Sequence, residues 1–508
     1  MAEDAQEFNE RGITGELIVS IHFKILFTTM LCLVLFKSCD KAPKYKNPPP
    51  VQTPPAFKEL TAANFKETDG WKFARPADDS LKGNWWEIFN DPQLNELEDQ
   101  VNISNQSIAV ADANFRVARE LVKEARSQYF PTVSTSPSVI VSRQSGKMTQ
   151  SNISTGRTFT DYSLPFDASW EPDLWGRVKN TVAANTSEAQ ATAADLENVR
   201  LSVEAEVAFD YYQLRALDAQ KKLLDTAVVA YQQALDLTKV RFETGIVSEE
   251  DVTQAQTLLE TTQAQATDLG IQRAQLEHAI AVLAGQPASN FAIGNTPLEA
   301  TPPAIPFGLP SQLLERRPDI AASERRVAEA NYQIGVARAA FYPSLSLNTS
   351  AGFEASSIAS WFTWPARFFS LGPTLSQTLF DKGRRKAVSE AAIASYDGNV
   401  AGYRQTVLTA FQEVEDNLAA LRILSREREE QQAAVVSSER TLELATERYK
   451  SGIDSYLNVI TAQETLLTNQ RTLIDLQMQQ MTASVELVKA LGGGWNSSQL
   501  PTPQQIKK

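Results

Sequence analysis

Two stretches, residues 178–242 and 387–449, each run for more than sixty residues without a proline and are built mainly from Ala, Gln, Glu, Leu and Arg. As continuous α-helices each would be on the order of 100 Å long, more than a globular domain can enclose. A lone helix of that length has nowhere to bury its stripe of small apolar residues. Similar helices must therefore lie beside it, as a coiled-coil bundle or wall.

The two stretches belong to an internal duplication offset by about 207 to 212 residues. Glu124-Ala125-Arg126-Ser127-Gln128-Tyr129-Phe130-Pro131 recurs as Val336-Ala337-Arg338-Ala339-Ala340-Phe341-Tyr342-Pro343, and Arg241-Phe242-Glu243-Thr244-Gly245-Ile246 as Arg448-Tyr449-Lys450-Ser451-Gly452-Ile453. Each copy reads as a helix ending at an aromatic-Pro signal, an alternating stretch, a very long helix, a tight Gly turn and a second long helix. That second helix ends at Gly285 in the first copy and at Gly492 to Gly494 in the second. At both turns glycine supplies a left-handed helix end, and Ser248 or Ser455 stands where the next helix starts.

Between the helices the period changes from 3.6 to 2. Tyr162, Leu164, Phe166, Ala168 and Trp170 alternate with Asp161, Ser163, Pro165, Asp167 and Ser169, giving one apolar and one polar face. The same alternation places Val133, Pro137, Val139 and Val141 on one strand, Leu345, Leu347, Ala351 and Phe353 on another, and Phe369, Leu371, Pro373 and Leu375 on a fourth. This is the pattern of a membrane barrel, and a soluble sandwich with one buried face is the competing reading. A sheet in lipid must close, and about eight strands is the practical minimum, so four cannot close alone. Two copies would make a narrow, side-chain-filled barrel; three would make twelve strands with room for a lumen.

The apolar run Ile25 to Phe36 has the length of a signal h-region and is too short for a helical membrane span. It leads into Leu35-Phe36-Lys37-Ser38-Cys39, which resembles a bacterial lipoprotein signal in which the cysteine is diacylated and becomes the new N-terminus. Residues 1–38 are thus read as a signal peptide, with an acidic leader, and Cys39 as the lipid anchor. Residues 39–80 follow as a proline-rich tether. The body is read as two repeats, 81–295 and 296–492, with a tail at 493–508.

Chemistry finds little to work with. The only histidines are His22 and His278 and the only cysteines Cys32 and Cys39, so neither a transition-metal centre nor a disulfide framework is expected, and no cofactor. His278 stands alone between Glu277 and Ala279, without a nucleophile or phosphate loop beside it. The net charge of -13 is spread without a basic stripe, which argues against nucleic acid. No catalytic residue is assigned.

Trp85-Trp86-Glu87-Ile88-Phe89-Asn90-Asp91-Pro92-Gln93-Leu94, Leu313-Leu314-Glu315-Arg316-Arg317-Pro318-Asp319-Ile320 and Ile334-Gly335-Val336-Ala337-Arg338-Ala339-Ala340-Phe341-Tyr342-Pro343 resemble the outer-membrane factor (TolC-like) family, in its lipoprotein branch serving resistance-nodulation-division efflux systems. The resemblance covers nearly the whole mature chain. It implies a mostly α fold with a membrane β-barrel portion: a homotrimer whose twelve strands span outer-membrane lipid and whose twelve helices form a periplasmic tunnel. The implied function is a passive export duct for small molecules such as drugs, joined by a periplasmic adaptor to an inner-membrane efflux pump. A duct for protein secretion and a periplasmic coiled-coil adaptor are the alternatives. The resemblance makes the two Gly turns the periplasmic tip, with Arg241, Gly245, Arg448 and Gly452 at the adaptor-docking end. Candidates for a ring at the tunnel mouth are Glu249, Glu250, Asp251, Asp454, Asn458 and Thr461. Simple helix capping is the other reading of these acids.

Overall fold

The computed structural model describes residues 43–45, 53–54, 57–59, 83–143, 158–303, 305 and 313–507. The expected signal peptide, Cys39 and most of the expected proline-rich tether lie outside these residues.

Asp91 accepts hydrogen bonds from the Gln93 and Leu94 amides at 3.0 and 3.2 Å and starts α1 (Pro92–Ser104). Asn105 in turn caps α2 (Gln106–Ser127). Then come β1 (Thr132–Thr135), β2 (Ser138–Arg143), β3 (Thr158–Trp170), α3 (Arg177–Glu243) and α4 (Glu249–Leu283). The second copy repeats the order with α5 (Leu313–Arg316), α6 (Pro318–Ala339), β4 (Ser344–Ala355), β5 (Arg367–Ser376), α7 (Arg384–Lys450) and α8 (Tyr456–Ala490). A short α9 (Pro503–Ile506) closes the chain. Corresponding helices match in length: α3 and α7 have 67 residues each, α4 and α8 have 35, and α2 and α6 have 22. The two copies therefore stand side by side with their turns at the same height.

The shorter helices stack end on. Gly285, at φ +68°, lies so close to Ser104 that a Cβ on it would sit 2.4 Å from the Ser104 carbonyl oxygen, and Asn105 donates from Nδ2 to the Leu283 carbonyl at 2.8 Å. The α4 column thus continues into α2. Gly492, at φ +92°, makes the equivalent approach to Arg316, and Arg317 donates to the Ala490 carbonyl at 3.0 Å, so α8 continues into α6. Each copy contributes one unbroken long helix and one column assembled from two pieces, giving four columns per chain. In α3, 29 of 67 residues are buried against 10 of 67 in α7, which makes α3 an inner column and α7 an edge. Alanines such as Ala184, Ala189, Ala191 and Ala194 line the buried side of α3 and let its neighbours approach closely.

At the level of these joints the main core gathers Phe57, Trp85, Trp86, Phe89, Tyr211, Tyr212 and Ile305 from the N-terminal segment, the link and the helices. Arg215 and Asp218 pin the link after α4: Arg215 donates to the Gly294 carbonyl at 2.6 Å, and the Thr296 amide donates to Asp218 at 3.0 Å. The start of the link is thus held against α3 midway along the helices.

The strands form one antiparallel sheet in the order β1/β2, β3, β4, β5. Four strand positions are occupied, but the first is split: β1 and β2 both pair with β3, with Ser136 and Pro137 between them. Proline has no N–H to give to the ladder, which breaks a strand the alternation alone leaves continuous. In register, Val133 pairs with Ala168, Val139 with Tyr162, Leu164 with Phe353, Phe166 with Ala351, and Ala351 with Phe369. The apolar sets of all four positions therefore share one face, and Ser163, Asp167, Ser169, Asn348, Ser350 and Ser370 share the other.

Candidate functional site

The two hairpin turns lie together at the end of the helices opposite the sheet. In each, glycine is left-handed, Gly245 at φ +74° and Gly452 at φ +73°. Ile246 N–H donates to the Arg241 carbonyl at 2.8 Å and Gly245 N–H to the Phe242 carbonyl at 2.8 Å; Ile453 and Gly452 make the same pair of bonds to Arg448 and Tyr449. These are Schellman ends, which satisfy the last carbonyls of α3 and α7. The helices that follow start differently. Ser248 and Asp251 form a capping box, whereas Ser455 stands at the N-cap of α8 without a side-chain cap bond. Its N3 residue is Asn458, whose side chain bonds instead to Asp454.

The equivalent arginines Arg241 and Arg448 have diverged in role. Arg448 donates from Nε to Asp454 at 2.5 Å across its own turn, and this bond holds the Asp454 carboxyl below its usual range. The first turn has Val247 in place of that acid, so Arg241 reaches into the second copy. It lies 4.7 Å over the Tyr449 ring and donates to the Tyr449 and Lys450 carbonyls at 3.4 and 3.2 Å. A cation at the negative end of α7 is electrostatically favourable. Beneath it, Tyr231, Leu235, Leu258, Tyr449, Tyr456, Val459 and Ile460 form a buried cluster, and burial pushes the Tyr456 phenol up to about 12. Both arginines and both glycines stand out in the repeated turn sequence, whereas Tyr449 and Tyr456, whose rings lie 5.1 Å apart, do not.

The candidate ring residues sit in these first turns. Asp251 is engaged in its capping box and Asp454 in its ion pair; Glu249 and Glu250 are exposed, with Glu250 accepting from Gln254 at 3.2 Å. Asn458 is exposed, and Thr461 returns its hydroxyl to the Leu457 carbonyl at 2.9 Å. Ile246, Ile453 and Leu457 are exposed apolar residues at the same end, at 63%, 65% and 55%. His278 is exposed on α4.

A second polar cluster lies in the midway core. Glu98 is fully buried on α1, and neither carboxyl oxygen has a hydrogen-bond partner. Burial first, then Glu204 and Asp99, push its carboxyl well above the usual range. Glu204, on α3, accepts from the Trp85 indole at 2.9 Å and is likewise raised by burial. The Tyr212 hydroxyl beside them is also unpartnered.

Comparison with known proteins agrees with this architecture. The family described as outer membrane efflux protein matches residues 97–286 and 309–493. The toluene efflux pump outer membrane protein TtgC of Pseudomonas putida is 33% identical over 479 residues, covering 93% of this chain and 96% of that protein. The pyoverdine export outer membrane protein OpmQ of the same species is 32% identical over 419 residues, 81% of this chain and 88% of that one. Among solved structures, the outer-membrane channel OprN aligns with a TM-score of 0.81 at 29% identity, over 90% of this chain and 100% of that chain. With long helices below and a four-position share of a barrel above, this chain belongs to the outer membrane efflux protein family and is the outer-membrane channel component of an efflux system.

Proposed function

We propose that three copies assemble into a passive duct, with a twelve-stranded barrel in outer-membrane lipid and a twelve-helix tunnel below it. The observation that carries this is the pair of open sheet edges. β1/β2 and β5 each pair on one side only, and an open edge in hydrocarbon would leave a row of amides unsatisfied. The helical wall has matching free edges: Val110, Val117 and Leu121 are exposed on α2, and Val388, Leu408, Ile423 and Val436 on α7. Each edge of one copy is available to the opposite edge of the next.

The cargo is proposed to be small organic molecules, chosen by an inner-membrane pump rather than by the duct. Relatives named for toluene and for pyoverdine support a wall of low selectivity. A periplasmic adaptor is proposed to dock at the tip, where Ile246, Ile453 and Leu457 present apolar surface around Arg241, Gly245, Arg448 and Gly452. Glu249, Glu250, Asp251, Asp454, Asn458 and Thr461 are proposed to line the mouth. Cys39 is proposed as a diacylated anchor. The chain is held at Pro43, whose carbonyl accepts from Asn331 at 3.0 Å, and Asn331 lies on α6, which runs towards the sheet. A fully extended chain from position 39 to Pro43 would reach at most about 13 Å, comparable with the remaining rise of α6 of about 12 Å.

The test is complementation of a cell that lacks its own channel but keeps the cognate adaptor and pump. Wild type restores efflux of a fluorescent substrate. Gly245→Val and Gly452→Val, which force β-branched residues into left-handed backbone, still insert but lose efflux. Normal export by both variants would overturn the tip assignment.

A further inference from the structure

The two strand hairpins end in loops of opposite character. Residues 144–157 carry Lys147 and Arg157, no aromatic residue and mostly Ser, Thr, Gln and Asn. Residues 356–366 carry no charge and include Ile358, Trp361, Phe362 and Trp364. This second loop is folded, with 3-10 turns at Ile358–Ser360 and Trp364–Ala366. Its own groups satisfy part of its polarity: the Ser357 and Ser360 hydroxyls lie 2.7 Å apart, and Thr363 donates its hydroxyl to the Ser360 carbonyl at 2.7 Å.

The side to which it folds is decided by its rings. Trp361 lies 5.6 Å from Tyr162 and stacks at 5.0 Å on Phe362, which lies 5.6 Å from Phe353; the Trp361 indole donates to the Phe353 carbonyl at 3.4 Å. Tyr162 and Phe353 both belong to the apolar face of the sheet, in register with Ala355 and Leu164. The loop therefore extends that face and does not cap the polar one. It leans towards β3, away from the open β5 edge where another copy would pair. Beyond the stack, Ile358, Phe362 and Trp364 remain 70%, 64% and 79% exposed, and the Arg367 guanidinium lies over the Trp364 ring on the same face.

We propose that residues 356–366 are a membrane-binding element, seated at the boundary between acyl chains and headgroups of the outer leaflet, with Arg367 placed for a headgroup phosphate. Uncharged aromatic surface continuous with a lipid-facing sheet and edged by a cation, Arg367, is the chemistry of an interfacial anchor. The aromatic loop belongs to the second copy alone, since residues 144–157 of the first carry no aromatic residue. This inference rests on the reading of the apolar sheet face as lipid-facing.

The experiment places single nitroxide labels on the full chain, as trimers in liposomes, with Cys32 and Cys39 replaced by alanine. Labels replace Phe362 or Trp364 in the loop, Leu371 on the apolar face and Ser370 on the polar face. Oxygen partitions into lipid, and a nickel chelate stays in water. Labels at 362 and 364 are expected to collide with oxygen more than with nickel, at a shallower depth than 371, while 370 collides with nickel. Nickel access at 362 and 364 equal to that at 370 would overturn the proposal and indicate a loop in water or open to another protein. Protection from both reagents would also overturn it, indicating packing against another copy. Nickel access at 371 would instead refute the lipid-facing sheet itself, so the two failures are distinguishable.

Discussion

Glu98 offers a quantitative test of how the midway core is held. Its two carboxyl oxygens are buried without partners, and an unpaired buried polar group costs about 1–3 kcal/mol. Glu98→Met keeps the length of the side chain and removes the polar atoms, so it is expected to stabilise the protein by about that amount. Glu98→Gln keeps an unpaired polar group and removes only the titration. The sign of the pH dependence follows from the raised carboxyl. Between the ordinary glutamate range near about 4.3 and the higher folded value, the folded state holds a proton that the unfolded state has released. Stability therefore falls as pH rises through that window. The groups facing Glu98 are Glu204 and Tyr212 on α3 and Asp99 on α1, and none is a cation that would reverse the sign. The assay is the unfolding half-life of detergent-solubilised protein at a fixed elevated temperature, at pH 5.5 and 8.5. Wild type should unfold faster at pH 8.5; the Gln variant should lose part of that difference, with the other carboxyls raised by burial, Glu188, Glu204, Asp210 and Asp475, supplying the remainder. The Met variant should outlast wild type at pH 8.5 by at least about fivefold, the equivalent of 1 kcal/mol. A wild-type half-life that lengthens with pH, or a Met variant no more durable than wild type, would refute the reasoning.

Gly452→Ala should cost about 1–2 kcal/mol from left-handed backbone alone, because open space surrounds its Cβ position. Gly492→Ala should cost clearly more, since its Cβ would meet the Arg316 oxygen at 2.1 Å; thermal unfolding of the two variants compares them. Leu164→Arg and Leu347→Arg, on the apolar sheet face, should lose roughly 2–4 kcal/mol near the bilayer midplane and impair assembly, while Ser163→Arg on the polar face is tolerated. Gel mobility of the unheated protein reads this out. Cys39→Ala should abolish the acyl mass at the N-terminus, measured on the intact protein.

The long helices were legible because nothing in them interrupts a 3.6 period and a glycine follows each one. Strand parity was legible because serine alternates with apolar residues on every strand. The joints were not, because Ser104 meets Gly285 and Arg316 meets Gly492 across distances in sequence that no local pattern spans. The split at Pro137 could have been anticipated from its missing N–H, but apolar alternation carries through it. Glu98 also left a signal: with Leu94, Leu97 and Val101 it occupies one face of α1, so an acid stands inside an apolar stripe. Arg241 shows the limit of repeat logic, since its counterpart Arg448 predicts an ion pair that Val247 makes impossible.

The end-on joints have a mechanical consequence. Along the tube axis α3 and α7 carry load through continuous backbone hydrogen bonds, whereas the columns between them transmit it through a carbonyl contact and one side-chain bond at each joint, Asn105 to Leu283 and Arg317 to Ala490. Both joints lie at one height, so they define a single plane of low shear stiffness encircling the tube, and Arg215 and Asp218 tie the start of the link to α3 beside that plane. Twisting the lower part against the upper concentrates strain there, leaving the hairpin ends and the sheet to move as stiff bodies.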